Sequence, residues 1–127
     1  LHLAALDGNI GIIKKLVELG ADINTKDNLG RTPLHLAAAY GNINSIAKLY
    51  ELGANINAKD NFGKTALHIA AEYGKIDYIA KLIELGADLS PIDTLQETAL
   101  DIIVKTPGKI DELATSLAKL IRTNFLT

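Results

Sequence analysis

A short pattern that returns at a fixed interval constrains this chain more than any other feature of its sequence. The pattern is Leu-His-Leu-Ala or a close variant of it, and its copies begin at Leu1, Leu34, Leu67 and Leu100. Residues 27–59 and 60–92 can be aligned without a gap, and 19 of their 33 positions are identical. A period of this length is typical of repeat arrays, in which each unit buries its apolar surface against its neighbours.

The second unit contains the signals of two short helices. Asp-Asn-Leu-Gly at residues 27–30 is typical of a turn, in which the glycine supplies a positive φ. Thr32 is a favourable N-cap and Pro33 suits the first helical position, so we expect the first helix over residues 34–40. Gly41 follows as a natural C′ residue.

The second helix of this unit is expected from about Asn44 to Leu52, because apolar residues recur there at helical spacing. Gly53 ends it, and the chain then leads through an extended segment into the next turn. Two short helices alone expose too much apolar surface to be stable. The unit therefore predicts a helix-turn-helix repeat that depends on stacking.

The two central units resemble the ankyrin repeat. The resemblance rests on Gly-Arg-Thr-Pro-Leu-His-Leu-Ala-Ala at residues 30–38 with Gly-Ala-Asn-Ile-Asn at 53–57, and on Gly-Lys-Thr-Ala-Leu-His-Ile-Ala-Ala at 63–71. It implies an all-α fold, an α-solenoid of stacked helix-turn-helix repeats with protruding hairpin-like loops. The whole chain, residues 1–127, is expected to be one domain of four repeats, at about 1–26, 27–59, 60–92 and 93–127.

The first and last repeats depart from this pattern. The first lacks its turn, and in the last Gln96 replaces the turn glycine and Asp101 replaces the histidine. A final helix is expected over about residues 111–122 with a polar side, which is what the end of an array requires. We therefore expect a C-terminal cap. The uncapped first repeat and the absence of methionine suggest a fragment of a longer protein.

Composition narrows the classes of function. The net charge of −2 offers no basic surface for nucleic acid. The chain has no cysteine, and its charged residues interrupt every apolar run, so we expect no thiol chemistry and no membrane insertion. The lack of cysteine is consistent with an intracellular location, and we expect the cytoplasm. No phosphate-binding glycine loop or nucleophile motif is present, and we expect no cofactor.

Histidines and aspartates recur at the repeat period, which raises the question of a metal or catalytic site. His2, His35 and His68 should lie about 8–10 Å apart in stacked units. Zinc requires ligand nitrogens at about 2 Å, so these side chains should instead hydrogen-bond the neighbouring turn and Thr32 or its equivalent Thr65. Asp27, Asp60 and Asp93 are expected to accept hydrogen bonds from amides of their own loops. We predict no metal site and no catalytic residue.

What remains is a surface made by the loops and the first helices, predicted to be the concave side of a curved stack. Tyr40 and Tyr73 share one register there, and Leu29 and Phe62 share another, with basic residues beside them. Aromatic and arginine side chains are enriched in binding hot spots. The alternative is that these residues only pack between repeats. The candidate partner-binding residues are Asn28, Leu29, Arg31, Tyr40, Asn61, Phe62, Lys64, Glu72 and Tyr73.

The sequence thus predicts a non-catalytic protein–protein interaction module whose partner is another protein. An alternative is a regulatory or scaffolding repeat segment of a larger enzyme or membrane protein. A further alternative is an internal scaffold that associates end to end through its uncapped first repeat. The resemblance also places Asn24 and Asn57 where some ankyrin-like proteins are hydroxylated on asparagine. Hydrogen bonding to the loop backbone is the main role that we expect for both, and Ser90 at the third equivalent position argues against a uniform modification.

Overall fold

The computed structural model describes residues 1–93, 97–104 and 115 of the chain. Helices account for all the regular structure in these residues, and no strand occurs among them. The helices are α1 (His2–Asp7), α2 (Ile10–Glu18), α3 (Pro33–Tyr40), α4 (Ile43–Glu51), α5 (Ala66–Glu72), α6 (Ile76–Glu84) and α7 (Ala99–Val104). Each of the first three repeats contributes one helix pair, so the predicted all-α class is confirmed.

The first helices of the repeats begin where the sequence predicts. Thr32 is the N-cap of α3, and its backbone N–H donates to Nδ1 of His35 at 3.1 Å. Thr65 and His68 repeat the arrangement at the start of α5 with the same distance. These reciprocal caps satisfy amides that a helix start would otherwise leave without partners.

The second helices lie one residue earlier than expected. Helix α4 begins at Ile43 because Asn42 is its N-cap, and the Asn42 side chain accepts from the Ser45 amide at 2.7 Å. The helix ends at Glu51, and Gly53 follows with a φ of 107°, a conformation that favours glycine. The predicted stop at Gly53 is therefore confirmed, and the shifted start follows from the capping side chain.

Stacking creates one continuous apolar core. Helix α3 lies between α1 and α5, and α5 also contacts α7, while α4 lies between α2 and α6. Ala37 and Ala38 of α3 are fully buried, as the paired alanines predict, and so are Ile46 and Leu49 of α4. Fully burying an aliphatic side chain of this size contributes about 1.5–3 kcal/mol. Neighbouring repeats thus supply the stability that a single pair lacks.

Gly41 ends α3, but for a different reason from the one expected. Its φ is −78°, so it is not the left-handed C′ residue that the sequence suggests, whereas the equivalent Gly8 and Gly74 have φ of 69° and 64°. A Cβ at Gly41 would lie 2.7 Å from the carbonyl oxygen of Ala5 and 2.8 Å from Oγ of Ser45. The residue must be glycine because the neighbouring repeat approaches too closely for a side chain.

The predicted C-terminal cap lies largely outside the described residues. Helix α7 is present at the start of the fourth repeat and packs against α5. The expected helix over about 111–122, with its polar side, remains a prediction.

Gly41→Ala is expected to lower the free energy of unfolding by about 1–3 kcal/mol, because the added methyl group overlaps the first repeat. Gly11→Ala is the matched control. Gly11 lies within α2, and a Cβ there meets only Oδ1 of Asn9 at 3.6 Å. That change should raise stability by up to about 1 kcal/mol through helix propensity. Urea denaturation of both variants measures the difference, and equal effects would contradict this explanation of Gly41.

Candidate functional site

Each repeat is joined to the next by a protruding loop, here called a finger; the first two fingers are residues 22–32 and 55–65. The tip of the first finger is a β-turn in which the amide of Gly30 donates to the carbonyl of Asp27 at 2.9 Å, and Gly30 has a φ of 76°. The second tip repeats it with Gly63 and Asp60 at 3.0 Å. The predicted turns are therefore confirmed, and they hold residues 28–29 and 61–62 at the outermost positions.

The aspartates of the tips stabilise the turns. Oδ1 of Asp27 accepts from the amides of Leu29 and Arg31 at 2.9 and 2.8 Å. Burial acts to raise the pKa of Asp27, but the backbone hydrogen bonds and the Arg31 guanidinium outweigh it, so the pKa lies below its usual value. Asp60 accepts from Phe62 and Lys64 in the same way. As expected, these carboxylates accept hydrogen bonds from backbone amides of their own loops.

The histidines link each repeat to the following finger. Nε2 of His2, His35 and His68 hydrogen-bonds the carbonyls of Arg31, Lys64 and Glu97 at 2.7, 2.7 and 2.9 Å. In His35, Nδ1 accepts from the Thr32 amide, so the neutral ring carries its proton on Nε2 and donates it to the next finger. The predicted structural role is confirmed. Among the described residues, no group of three or more His, Cys, Asp or Glu side chains could hold a metal ion.

Direct hydrogen bonds also join the two finger tips. The backbone N–H of Asn61 donates to the backbone carbonyl of Leu29 at 2.9 Å. The side-chain Nδ2 of Asn61 donates to the backbone carbonyl of Asn28 at 3.2 Å. A Cβ on Gly30 would lie 2.9 Å from the backbone nitrogen of Asn61, so glycine is required there for close approach as well as for its φ. Asn61, a candidate binding residue, thus uses its side chain between the fingers, although both it and Asn28 are exposed.

Asn24 and Asn57 join the bases of the fingers. Oδ1 of Asn24 accepts from the amide of Asn55 at 2.7 Å, and Oδ1 of Asn57 accepts from Asp88 at 2.8 Å. The backbone-bonding interpretation of both asparagines is confirmed. Together with the histidines, they fix each finger relative to its neighbour.

Leu29 and Phe62 occupy equivalent positions on the two tips. They are 43% and 49% exposed, although both are large and apolar. Neither belongs to the hydrophobic core formed by the described residues. The fold therefore leaves half of each side chain available to solvent at neighbouring points on the surface.

Tyr40 and Tyr73 form a second equivalent pair, at the ends of α3 and α5. Their rings meet edge to face, with centroids 5.3 Å apart, and their hydroxyl oxygens are 2.7 Å apart. The hydrogen bond with Tyr40 is the main cause that raises the pKa of Tyr73 above its usual value. The two rings do pack between repeats, as the alternative interpretation held, yet both stay exposed.

Two ion pairs orient Arg31 and Lys64, the basic residues beside the apolar and aromatic pairs. Nε of Arg31 lies 2.9 Å from Oδ2 of Asp27 within the same finger. Lys64 instead reaches Glu72 at the end of α5, and this hydrogen bond is the main cause that raises the pKa of Lys64. The equivalent of Glu72 in the second repeat is Ala39, so Arg31 has no such acid to reach. Sequence reasoning selected Lys64 and Glu72 separately and missed that they are partners.

The candidate residues thus lie on the fingers and at the ends of the first helices, and we call this surface the finger face. It comprises Asn28, Leu29, Arg31, Tyr40, Asn61, Phe62, Lys64, Glu72 and Tyr73. The Lys64–Glu72 pair connects the second finger to the end of α5 beside Tyr73. The structure therefore brings the apolar, aromatic and basic candidates onto neighbouring repeats.

Comparison with known families agrees with this architecture. A family model described as ankyrin repeats (3 copies) matches residues 1–93, which include all three complete helix pairs. The chain belongs to the ankyrin repeat family. A search of curated proteins found no match.

Ankyrin repeats generally mediate protein–protein interaction and are typically non-catalytic modules. The matched ankyrin region contains both fingers and all nine residues of the finger face. In the part of the chain that the structure describes, no helix is long and apolar enough to cross a membrane.

The histidine that links α3 to the second finger should make stability depend on pH. Burial is the main cause that lowers the pKa of His35, so below about pH 6.5 the unfolded chain binds more protons at this residue than the folded chain. The free energy of unfolding should therefore fall as the pH is lowered from 7.5 to 5. Urea denaturation at the two pH values measures this loss.

His35→Gln is the comparison variant. It should cost about 1–3 kcal/mol at pH 7.5, since buried hydrogen bonds are lost. It should also lose less stability than the original chain between pH 7.5 and 5. An equal loss in both proteins would show that His35 is not the responsible group.

Proposed function

We propose that this ankyrin array binds another protein through the finger face. The observation that carries the proposal is the repetition of two exposed apolar or aromatic pairs, Leu29 with Phe62 and Tyr40 with Tyr73, on adjacent repeats. Binding hot spots are enriched in aromatic and arginine side chains. A folded repeat gains little from half-exposed large apolar side chains, whereas a partner gains by covering them.

Rigidity of the fingers supports the same proposal. The tips are tied to each other through Asn61, and the bases through Asn24 and Asn57. Binding loses less conformational entropy when the contact residues are ordered before the partner arrives. A few well-placed anchors are then sufficient for useful affinity.

Polar groups beside the apolar pairs can supply specificity. The tyrosine hydroxyls share one hydrogen bond, in which only one of the two protons is used, so the other proton can be donated to a partner. The terminal nitrogens of Arg31 have no partner among the described residues, because only Nε contacts Asp27. A partner without acceptors at these positions would leave the donors buried and unpaired, and its affinity would be lower.

Phe62→Ala combined with Tyr73→Ala should weaken binding by more than about 2 kcal/mol, or roughly thirtyfold in Kd. The loss is expected because two exposed rings that a partner would cover are removed. Binders are first selected with the purified chain from a displayed library of random 12-residue peptides. Their affinities for the original and variant chains are then measured by titration calorimetry.

The matched control is Leu19→Ala combined with Tyr50→Ala. Tyr50 is 41% exposed, close to the 44% of Tyr73, but it lies on the second helix α4. The control should leave affinity within about twofold. Tyr73→Phe keeps the ring and removes the hydroxyl hydrogen bond to Tyr40. Its affinity shows whether binding depends on the contact area of the ring or on the order that this hydrogen bond imposes. Binding that survives the Phe62 and Tyr73 double change, or the absence of any peptide that depends on these residues, contradicts the proposal.

A further inference from the structure

The finger tips differ in charge from the rest of the protein. Residues 26–31 and 59–64 carry four basic side chains and two acidic ones, whereas the whole chain has a net charge of −2. The basic residues recur at the repeat period, with Lys26 equivalent to Lys59 and Arg31 equivalent to Lys64. The tips thus form a basic strip on an otherwise acidic chain.

Two of the four basic side chains in this strip are already paired with carboxylates. One carboxylate oxygen of Asp27 and one of Asp60 each accept two backbone amides of their own turn. Asp27 also pairs with Arg31, and Lys64 pairs with Glu72 from α5. The two ion pairs leave Lys26 and Lys59 as the basic side chains of the strip that have no carboxylate partner among the described residues.

Neither of these lysines contacts an acid among the described residues. Nζ of Lys26 donates to the backbone carbonyl of Lys59 at 3.3 Å, and no partner of the Lys59 ammonium is found there. The first ammonium group therefore rests against the residue that bears the second. Two adjacent like charges raise the local positive potential, which a carboxylate of a partner would relieve.

An apolar side chain lies three residues beyond each lysine. Leu29 follows Lys26, and Phe62 follows Lys59. The amide of Asn61 and the carbonyl of Leu29 hold the tips side by side at 2.9 Å. A segment that crosses both tips thus meets an apolar group and a cation on the first, and then the same two groups on the second.

We infer that the partner presents to these tips an acidic protein segment that also carries apolar side chains, an inference that rests on the proposed function. Carboxylates of the segment pair with the Lys26–Lys59 row, and its apolar side chains cover Leu29 and Phe62. Stacked helices lie about 8–10 Å apart, which corresponds to about two to three residues of extended chain or about five to seven residues of helix. The apolar residues of the segment should recur at one of these spacings.

A peptide partner fits these observations better than a phosphate-bearing one. Nucleic-acid surfaces depend on many cations, and two of the four here already have carboxylate partners. Lys26 and Lys59 also have the half-exposed side chains of Leu29 and Phe62 nearby in the sequence, and a phosphate backbone would leave these apolar groups uncovered. Acidic peptides satisfy both features.

The test uses the random 12-residue peptides that bind the full chain and need Phe62 and Tyr73. These should be net acidic and contain apolar residues at the spacing given above. Lys26→Glu combined with Lys59→Glu should weaken their binding about tenfold or more. Lys59→Glu alone, which leaves the Lys26 hydrogen-bond donor in place, should show part of this loss.

Lys14→Glu combined with Lys15→Glu is the control, since both lysines are exposed on α2 away from the fingers. It should change affinity by less than about threefold. Raising the salt concentration from 50 to 300 mM should weaken binding to the original chain and have a smaller effect on the Lys26 and Lys59 variant. Thermal unfolding of each variant confirms that the fold is kept.

The outcomes separate this inference from the proposed function. Peptides that need Phe62 and Tyr73 but are neutral or basic, or that ignore the lysine reversal, overturn the acidic-segment inference alone. Binding that ignores Phe62 and Tyr73 overturns the proposed function. Tighter binding of a single-stranded DNA oligonucleotide, or of phosphatidylserine vesicles, than of any selected peptide overturns the inference in favour of a phosphate-bearing ligand.

Discussion

Mutual shielding of neighbouring repeats is the interaction on which the rest of this structure depends. Equivalent leucines of the first two repeats show its extent, because Leu36 of α3 is 8% exposed and Leu3 of α1 is 75% exposed. Helix α3 has a first helix on each side, whereas α1 has one on only one side. The same residue type is therefore buried or exposed according to its neighbours. The free energy of unfolding of a repeat array is therefore approximately a sum of terms for each repeat and for each interface between adjacent repeats.

Hydrogen bonds convert this apolar stack into an ordered surface. His35 joins α3 to the second finger, and Asn57 joins that finger to the backbone of Asp88 in the following repeat junction. In the described part of the chain, every buried side-chain nitrogen or oxygen has a hydrogen-bond partner. Because unpaired buried polar groups are costly, these contacts select one arrangement of the fingers. The order of the finger face thus comes in part from groups, such as His35 and Asn57, that do not belong to it.

The repeat period and local chemistry were sufficient to predict the helix pairs, the turn glycines and the roles of the histidines and aspartates. These features depend on residues close in sequence or on contacts repeated in every unit. Gly41 was misread because its constraint comes from Ala5 in another repeat. The Lys64–Glu72 pair and the Tyr40–Tyr73 hydroxyl bond were missed for a similar reason, since both depend on side-chain positions across the face.

Differences between repeats, rather than their similarities, give the proposed binding surface its selectivity. Caps and finger links recur in the second and third repeats, so they stabilise any array of this kind equally. Leu29 and Phe62 differ in shape, and Ala39 and Glu72 differ in charge, at equivalent positions. The difference between Ala39 and Glu72 also affects the neighbouring finger. Lys64 forms an ion pair with Glu72, whereas Arg31, which faces no such acid, forms an ion pair with Asp27 of its own turn. Two repeats with one scaffold therefore present different donors, and in the proposed binding mode these donors favour one direction and register of a partner that crosses both repeats.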